Sequence, residues 1–97
     1  AMSDVVTEAV SRLNEKMGGT GFDGSAKFVI EGEGSLIIDE GGARAGDGEA
    51  AVTLTAATET FRAILAGEEN PTVAYMSGKL RLDGDMGMAM KLAGVLG

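Results

Sequence analysis

The sequence predicts an α+β fold, in which helices cover one face of a largely antiparallel sheet. Apolar residues recur at helical spacing in some segments and alternate with polar residues in others. These segments follow the order helix, three strands, two helices, strand, helix. This order indicates an antiparallel meander of three strands and a longer crossover to the last strand. The length of 97 residues, with no internal linker, predicts a single domain over residues 1–97.

The first predicted helix runs from Ser3 to Met17. Ser3 is expected to cap its amino end, and the pair Gly18-Gly19 is expected to end it. Spacings of three and four residues separate its apolar positions, which are Val6, Ala9, Val10, Leu13 and Met17. We therefore expect one face of this helix to be buried.

Three strands are predicted next, because apolar and polar residues alternate between Ser25 and Thr55. The inward positions of the three strands are Phe28 and Ile30, Leu36 and Ile38, and Val52 and Leu54. Between the second and third strands, the stretch from Glu40 to Gly48 holds four glycines, and we expect it to be a turn.

Two short helices are predicted after the third strand. Thr58 is expected to cap the first of them, and Gly67 is expected to end it. The apolar stripe of this helix consists of Phe61, Ile64 and Leu65. Asn70 and Pro71 open the second helix, since proline at a first helical position sacrifices no hydrogen bond.

The segment from Ser77 to Leu92 changes its period at Asp85. Before Asp85, Leu80 and Leu82 alternate with charged residues and predict a strand. Asp85 is a good helix cap, and the helix after it is apolar on two sides. A terminal helix of a small domain needs one apolar face. The methionine-rich second face indicates either additional core packing or the wall of a cavity that changes shape, such as a lipid cavity.

The composition excludes several classes of site. The chain has no Cys and no His, which argues against the usual zinc sites, thiol nucleophiles and imidazole bases. Its net charge of −7 argues against binding to nucleic acid or to anionic membranes. No apolar run approaches the roughly 20 residues of a membrane span. Because neither a secretory signal nor an organelle signal is recognisable, we expect a cytoplasmic location.

No group of residues indicates catalysis, a metal or a cofactor. The segment from Asp83 to Asp85 is too short for a calcium loop, and the glycine-rich stretches lack the pattern of a phosphate loop. Ser77 and Lys79 are expected to diverge across a helix-to-strand turn, so they do not form a nucleophile and base. We expect a protein that is not an enzyme.

From Val52 onward the chain resembles the sterol carrier protein type 2 family of lipid-binding domains. The matching segments are Thr53–Phe61, Asn70–Pro71, Ala74–Leu80 and above all Gly84-Asp85-Met86-Gly87-Met88-Ala89-Met90-Lys91-Leu92. The resemblance implies a five-stranded, mostly antiparallel twisted sheet with helices packed on one face. It also implies an apolar tunnel between sheet and helices, which takes sterols, fatty acids, fatty acyl-CoAs or phospholipids without altering them.

The resemblance further implies which side chains form the tunnel wall. These are Phe61, Leu65, Tyr75, Met76, Met86, Met88, Met90 and Leu92. We expect a small bacterial stand-alone member of the family, a monomer or weak homodimer that does not insert stably into membranes. Two alternatives remain: a module for protein interaction or dimerisation, and an accessory subunit that presents lipid to an enzyme.

Overall fold

The computed structural model describes residues 4–96, which form four helices and five strands. In chain order these are α1 (Asp4–Met17), β1 (Ala26–Ile30), β2 (Gly34–Asp39), β3 (Gly42–Ala45), β4 (Val52–Ala56), α2 (Thr58–Leu65), α3 (Pro71–Met76), β5 (Leu80–Gly84) and α4 (Met86–Leu96). The cap predicted at Ser3 lies outside the described residues.

The five strands form one open sheet in the order β3-β2-β1-β4-β5. Strands β1 and β4 pair in parallel, whereas the other three pairs are antiparallel. The α+β class and the five-stranded, mostly antiparallel sheet are therefore confirmed. The expected meander through β4 is wrong, because β3 occupies the free edge of β2. The chain returns across the sheet, and β4 pairs with the free edge of β1 instead.

Strand β3 lies within the stretch that the sequence predicted as a turn. Its register places Ala43 opposite Ile38 of β2. The outer side of β3 is held by Asn14 of α1, whose side-chain amide donates to the Ala43 carbonyl at 3.0 Å and accepts from the Ala43 N–H at 2.9 Å. This amide thus replaces a neighbouring strand, and it stabilises a short glycine-flanked segment that has little strand propensity of its own.

One face of the sheet and the inner sides of the helices share a single apolar core. The predicted inward positions of β1, β2 and β4 are all buried, namely Phe28, Ile30, Leu36, Ile38, Val52 and Leu54, whereas Leu82 of β5 is partly exposed. Phe61 of α2 stacks on Phe28 of β1 with ring centroids 4.8 Å apart. Helix α1 buries four of its five predicted apolar positions, and Val10 packs against the core while partly exposed.

The helix start predicted at Asn70 and Pro71 is confirmed. Of the two side-chain caps predicted within the described residues, at Thr58 and Asp85, the second is confirmed. The Asn70 side chain accepts hydrogen bonds from the Thr72 and Val73 N–H groups, at 2.8 and 3.2 Å. The Asp85 carboxylate accepts from the Met88 N–H at 3.0 Å. The cap predicted at Thr58 is wrong: the capping residue is Ala57, which has no side-chain acceptor, and Thr58 is already helical.

Candidate functional site

A cavity of about 230 Å³ lies between strands β4 and β5 and helices α3 and α4. Its lining residues are Leu54, Pro71, Thr72, Tyr75, Leu80, Leu82, Met86, Ala89, Met90, Ala93 and Leu96. Only Thr72 and Tyr75 among these carry a hydroxyl group, and the other lining side chains have no hydrogen-bond donor. A cavity with this lining selects for apolar ligands.

Helix α4 is anchored on one side and faces the cavity on another. Its residues Ala89, Leu92 and Leu96 are buried in the core, and Ala89 and Leu96 also border the cavity. Lys91 pairs with the Asp23 carboxylate at 2.9 Å, and its ammonium lies 5.9 Å from the centroid of the Phe22 ring. These contacts attach α4 to the loop that precedes β1, and they lower the pKa of Asp23 through the Lys91 hydrogen bond.

Met88 also lies on the anchored side of α4. Its sulfur occupies the space that a Cβ at Gly24 would need, and Gly24 has a φ of +144°, which other residues rarely adopt. A glycine at position 24 thus lets the loop pack directly on the Met88 thioether. This side of α4 is closed by packing, whereas Met86 and Met90 border the cavity.

Large apolar side chains are exposed on the two helices that line the cavity. Among residues 4–96, every large apolar side chain classed as exposed belongs to this apolar patch, which consists of Val73, Tyr75, Met76, Met86 and Met90. Scattered single exposures are ordinary on protein surfaces, whereas a group confined to two neighbouring helices is typical of a binding surface.

The structure divides the predicted wall residues into three groups. Tyr75, Met86 and Met90 line the cavity. Phe61, Leu65 and Leu92 are buried in the core, and the cavity lining does not include them. Met76 is 79% exposed outside the lining, and Met88 packs on Gly24. A contact between any of these residues and a ligand stays a prediction.

Several lining residues were not among those predicted. Leu54, Leu80 and Leu82 form the sheet wall of the cavity. The period-two alternation placed them on the inner face, but it could not distinguish a position facing a packed helix from one facing open space. Pro71 was read only as a helix start, and it also lines the cavity.

The basic side chains near the cavity are paired with carboxylates. Lys79 lies 3.3 Å from Glu69, and Arg81 lies 3.0 Å from Glu31. Lys91 is held by Asp23, as described above. The lining itself contains no charged side chain among the described residues. Among residues 4–96, the cavity lining therefore supplies no cation of its own to a ligand carboxylate or phosphate.

Neither a metal centre nor a catalytic pair is visible in the part of the chain that the structure describes. Within residues 4–96, no three His, Cys, Asp or Glu residues are placed to hold a metal ion. The Ser77 hydroxyl donates to the Ala74 carbonyl, whereas the Lys79 ammonium donates to Glu69. Over the same residues, no helix has the length and apolar character needed to cross a membrane.

Comparison with known proteins gives concordant matches. The model of the SCP-2 sterol transfer family matches residues 9–97. Hydroxysteroid dehydrogenase-like protein 2 of Xenopus laevis is 40% identical over 82 residues, which cover 76% of this chain and 20% of that protein. The chain thus spans about a fifth of the length of this relative.

Two solved structures from Aedes aegypti are similar in fold. The crystal structure of Sterol Carrier Protein 2 Like 2 has a TM-score of 0.78 at 25% identity, covering 94% of this chain and 95% of that one. The solution NMR structure of palmitated SCP2L2 has a TM-score of 0.72 at 25% identity, covering 99% of this chain and 95% of that one.

Proposed function

The chain belongs to the SCP-2 sterol transfer family, and we propose that it reversibly binds one apolar lipid, chemically unchanged, between β4–β5 and α3–α4. One observation carries the proposal: the exposed large apolar side chains of residues 4–96 are confined to the two helices that line an apolar cavity. The palmitated state of the similar Aedes aegypti structure supports a lipid as the ligand class.

The cavity must widen to hold a whole lipid. Its volume of about 230 Å³ lies below the roughly 300–1,000 Å³ of ordinary small-ligand pockets. We assign the movement to α3, which has six residues and buries only Pro71 and Ala74. Gly67 and Gly78, with φ of +78° and +82°, flank this segment and supply turns of low steric cost. Helix α4 stays in place because its core residues anchor it.

The apolar contact area supplies the binding free energy. Removal of about 300–500 Å² of apolar surface from water contributes roughly 7–12 kcal/mol at about 25 cal/mol per Å². The ligand loses translational and rotational freedom on binding and α3 becomes ordered, and together these changes cost several kcal/mol of binding free energy. At the upper end of this range, the difference leaves a binding free energy of about −8 kcal/mol, which corresponds to a dissociation constant in the micromolar range.

The polar end of the ligand is expected to be uncharged. The hydroxyl groups of Thr72 and Tyr75 match an alcohol, whereas Lys79, Arg81 and Lys91 already pair with carboxylates. We therefore place sterols and other lipid alcohols ahead of fatty acids, acyl-CoAs and phospholipids as ligands.

The test combines ligand detection with a matched pair of variants. Native mass spectrometry of freshly purified protein, followed by lipid extraction, is expected to detect bound lipid. Met90→Glu places a carboxylate at the cavity, whereas Met76→Glu places one at an equally exposed position outside the lining. Met90→Glu should abolish saturable uptake of a fluorescent lipid, and Met76→Glu should retain it, with both variants folded by circular dichroism. Uptake lost equally in both variants, or no uptake by the unmodified protein, contradicts the proposal.

A second candidate function is the presentation of lipid to an enzyme. It is supported by the fact that the chain matches about a fifth of a longer relative whose name is that of a dehydrogenase-like protein. The lipid-loaded protein should then raise the turnover of an enzyme encoded beside it above the turnover with free lipid.

The interaction-module alternative makes the opposite prediction about the apolar patch. A stable dimer in sedimentation that excludes lipid would favour it over either lipid function. The cytoplasmic location and the bacterial origin stay predictions from the sequence.

A further inference from the structure

We propose that Met86 and Met90 are sites of reversible oxidation by peroxide, and that their sulfoxides lower lipid uptake. The inference rests on the proposed function, because it assigns a regulatory modification to the wall of the same cavity. Both side chains line that cavity and both reach solvent, at 45% and 75% exposure.

Accessibility separates the methionines of the described chain. Met76 and Met90 are 79% and 75% exposed, and Met86 is 45% exposed. Met17 is only 8% exposed, and Met88 is half-buried with its sulfur against Gly24. Because the chain has no Cys, no thiol of its own competes for the oxidant. We expect Met76, Met86 and Met90 to react before Met17 and Met88.

The reaction balances with hydrogen peroxide as the oxidant. A thioether lone pair attacks one peroxide oxygen, the sulfur–oxygen bond forms and the oxygen–oxygen bond breaks. The departing hydroxide takes up the proton of the transferred oxygen and leaves as water. Sulfur is oxidised by two electrons, and the peroxide is reduced by two. Methionine sulfoxide reductases reverse the change at the expense of a thiol reductant.

The sulfoxide places a strong hydrogen-bond acceptor in a wall that has few donors. Of the lining side chains, Thr72 and Tyr75 alone carry a hydroxyl that could donate to it. An acceptor that faces the hydrocarbon of a lipid loses its water partners, and binding should weaken by roughly tenfold. Met76 lies outside the lining, so its equally easy oxidation should leave binding unchanged.

Variants that keep the wall apolar but remove the sulfur test this assignment. The full chain, the double variant Met86→Leu with Met90→Leu, and the control Met76→Leu are each treated with hydrogen peroxide. Peptide mass mapping then locates the added oxygen, and uptake of a fluorescent long-chain alcohol is measured before and after treatment. Each protein is compared with its own untreated sample: the unmodified chain and the Met76→Leu control should lose about tenfold in affinity on treatment, whereas the double variant should lose none. Treatment with methionine sulfoxide reductase should restore the original affinity.

The outcomes separate this inference from the proposed function. Unchanged uptake with Met86 and Met90 both mapped as sulfoxides would overturn the inference alone. An equal loss in the double variant would also overturn it, since the damage would then arise elsewhere. Preferential oxidation of Met17 or Met88 contradicts the accessibility argument. Absence of uptake before any peroxide is added would remove the proposed function, and this inference with it.

Discussion

Helices α1 and α3 lie at opposite edges of the same sheet, and they fill the space above it very differently. Helix α1 packs on β2 and β3, has 14 residues and buries four apolar side chains. It also fixes β3 through the two hydrogen bonds of Asn14. Helix α3 lies beside β5, has six residues, and buries only Pro71 and Ala74.

The difference shows how a small domain combines a stable core with a cavity, at which we have proposed a lipid site. A long helix with a polar anchor closes one end of the core, and a helix too short to close the other end leaves a cavity. Local stability follows the number of buried apolar contacts, so the α3 end should open at lower cost than the α1 end. The proposed lipid site lies at the end whose opening is not expected to unfold the remainder of the domain.

The largest expected effect is a truncation in α1. Leu13 is fully buried, and Leu13→Ala should lower the free energy of unfolding by about 2–5 kcal/mol, since a cavity adds to the lost transfer free energy. The control on α3 is Val73→Ala, at a position 54% exposed, which should change stability by no more than about 0.5 kcal/mol. Urea unfolding measures both. Equal losses of unfolding free energy in the two variants would show that α1 and α3 contribute alike to stability, and the proposed difference between the two ends would be wrong.

An intermediate effect is expected from the charge of the ligand. Hexadecanol and palmitate share a chain length and differ in the polar end, and the cavity offers hydroxyl groups without an unpaired cation. Hexadecanol should bind roughly tenfold more tightly at neutral pH, because the carboxylate loses water without gaining a partner. Competition of each ligand against the same fluorescent lipid gives the ratio of their two dissociation constants. A preference for palmitate would mean that Lys79 or Arg81 leaves its carboxylate when ligand binds.

The smallest effect is a pH dependence at the α1 end. The Arg44 hydrogen bond, assisted by the Gly41 N–H, lowers the pKa of Asp39 from 3.8 to about 2. Because the pKa of Asp39 is lower in the folded state, its ionised carboxylate stabilises the fold at pH values above 3.8. This contribution disappears as the pH falls from 3.8 towards 2. Asp39→Asn should therefore be slightly less stable than the parent at neutral pH and equally stable near pH 2. A stability difference that persists at low pH would assign the effect to packing rather than to charge.

The sequence predicted local features well and long-range ones poorly. Alternation identified the buried faces of β1, β2 and β4, the side-chain oxygen of Asp85 identified a cap, and Pro71 identified a helix start. Strand β3 was missed because its short segment from Gly42 to Ala45 has little strand propensity. The amide that holds its outer edge lies 29 residues earlier in the chain, where no local pattern reveals it. The parallel β1–β4 pair was missed for the same reason, since β3 determines which edges remain free.

The cavity lining was predicted in part on its helical side and not on its sheet side. The second apolar face of α4 pointed to Met86 and Met90, and both line the cavity. Leu92 belongs to the same apolar pattern but is fully buried, because the pattern does not say which face meets the core. The sheet wall was read as core, since an inward leucine has the same sequence pattern whether a helix or a cavity lies opposite.

Every residue that lines the cavity falls between positions 54 and 96, whereas the edge of the sheet held by α1 is built from residues before position 46. The parallel pairing of β1 with β4 is the seam between these two halves. A chimera joined within residues 46–51 should inherit its ligand preference from one parent and the robustness of its α1 end from the other. Ligand choice and resistance to unfolding can then be exchanged separately between members of the family.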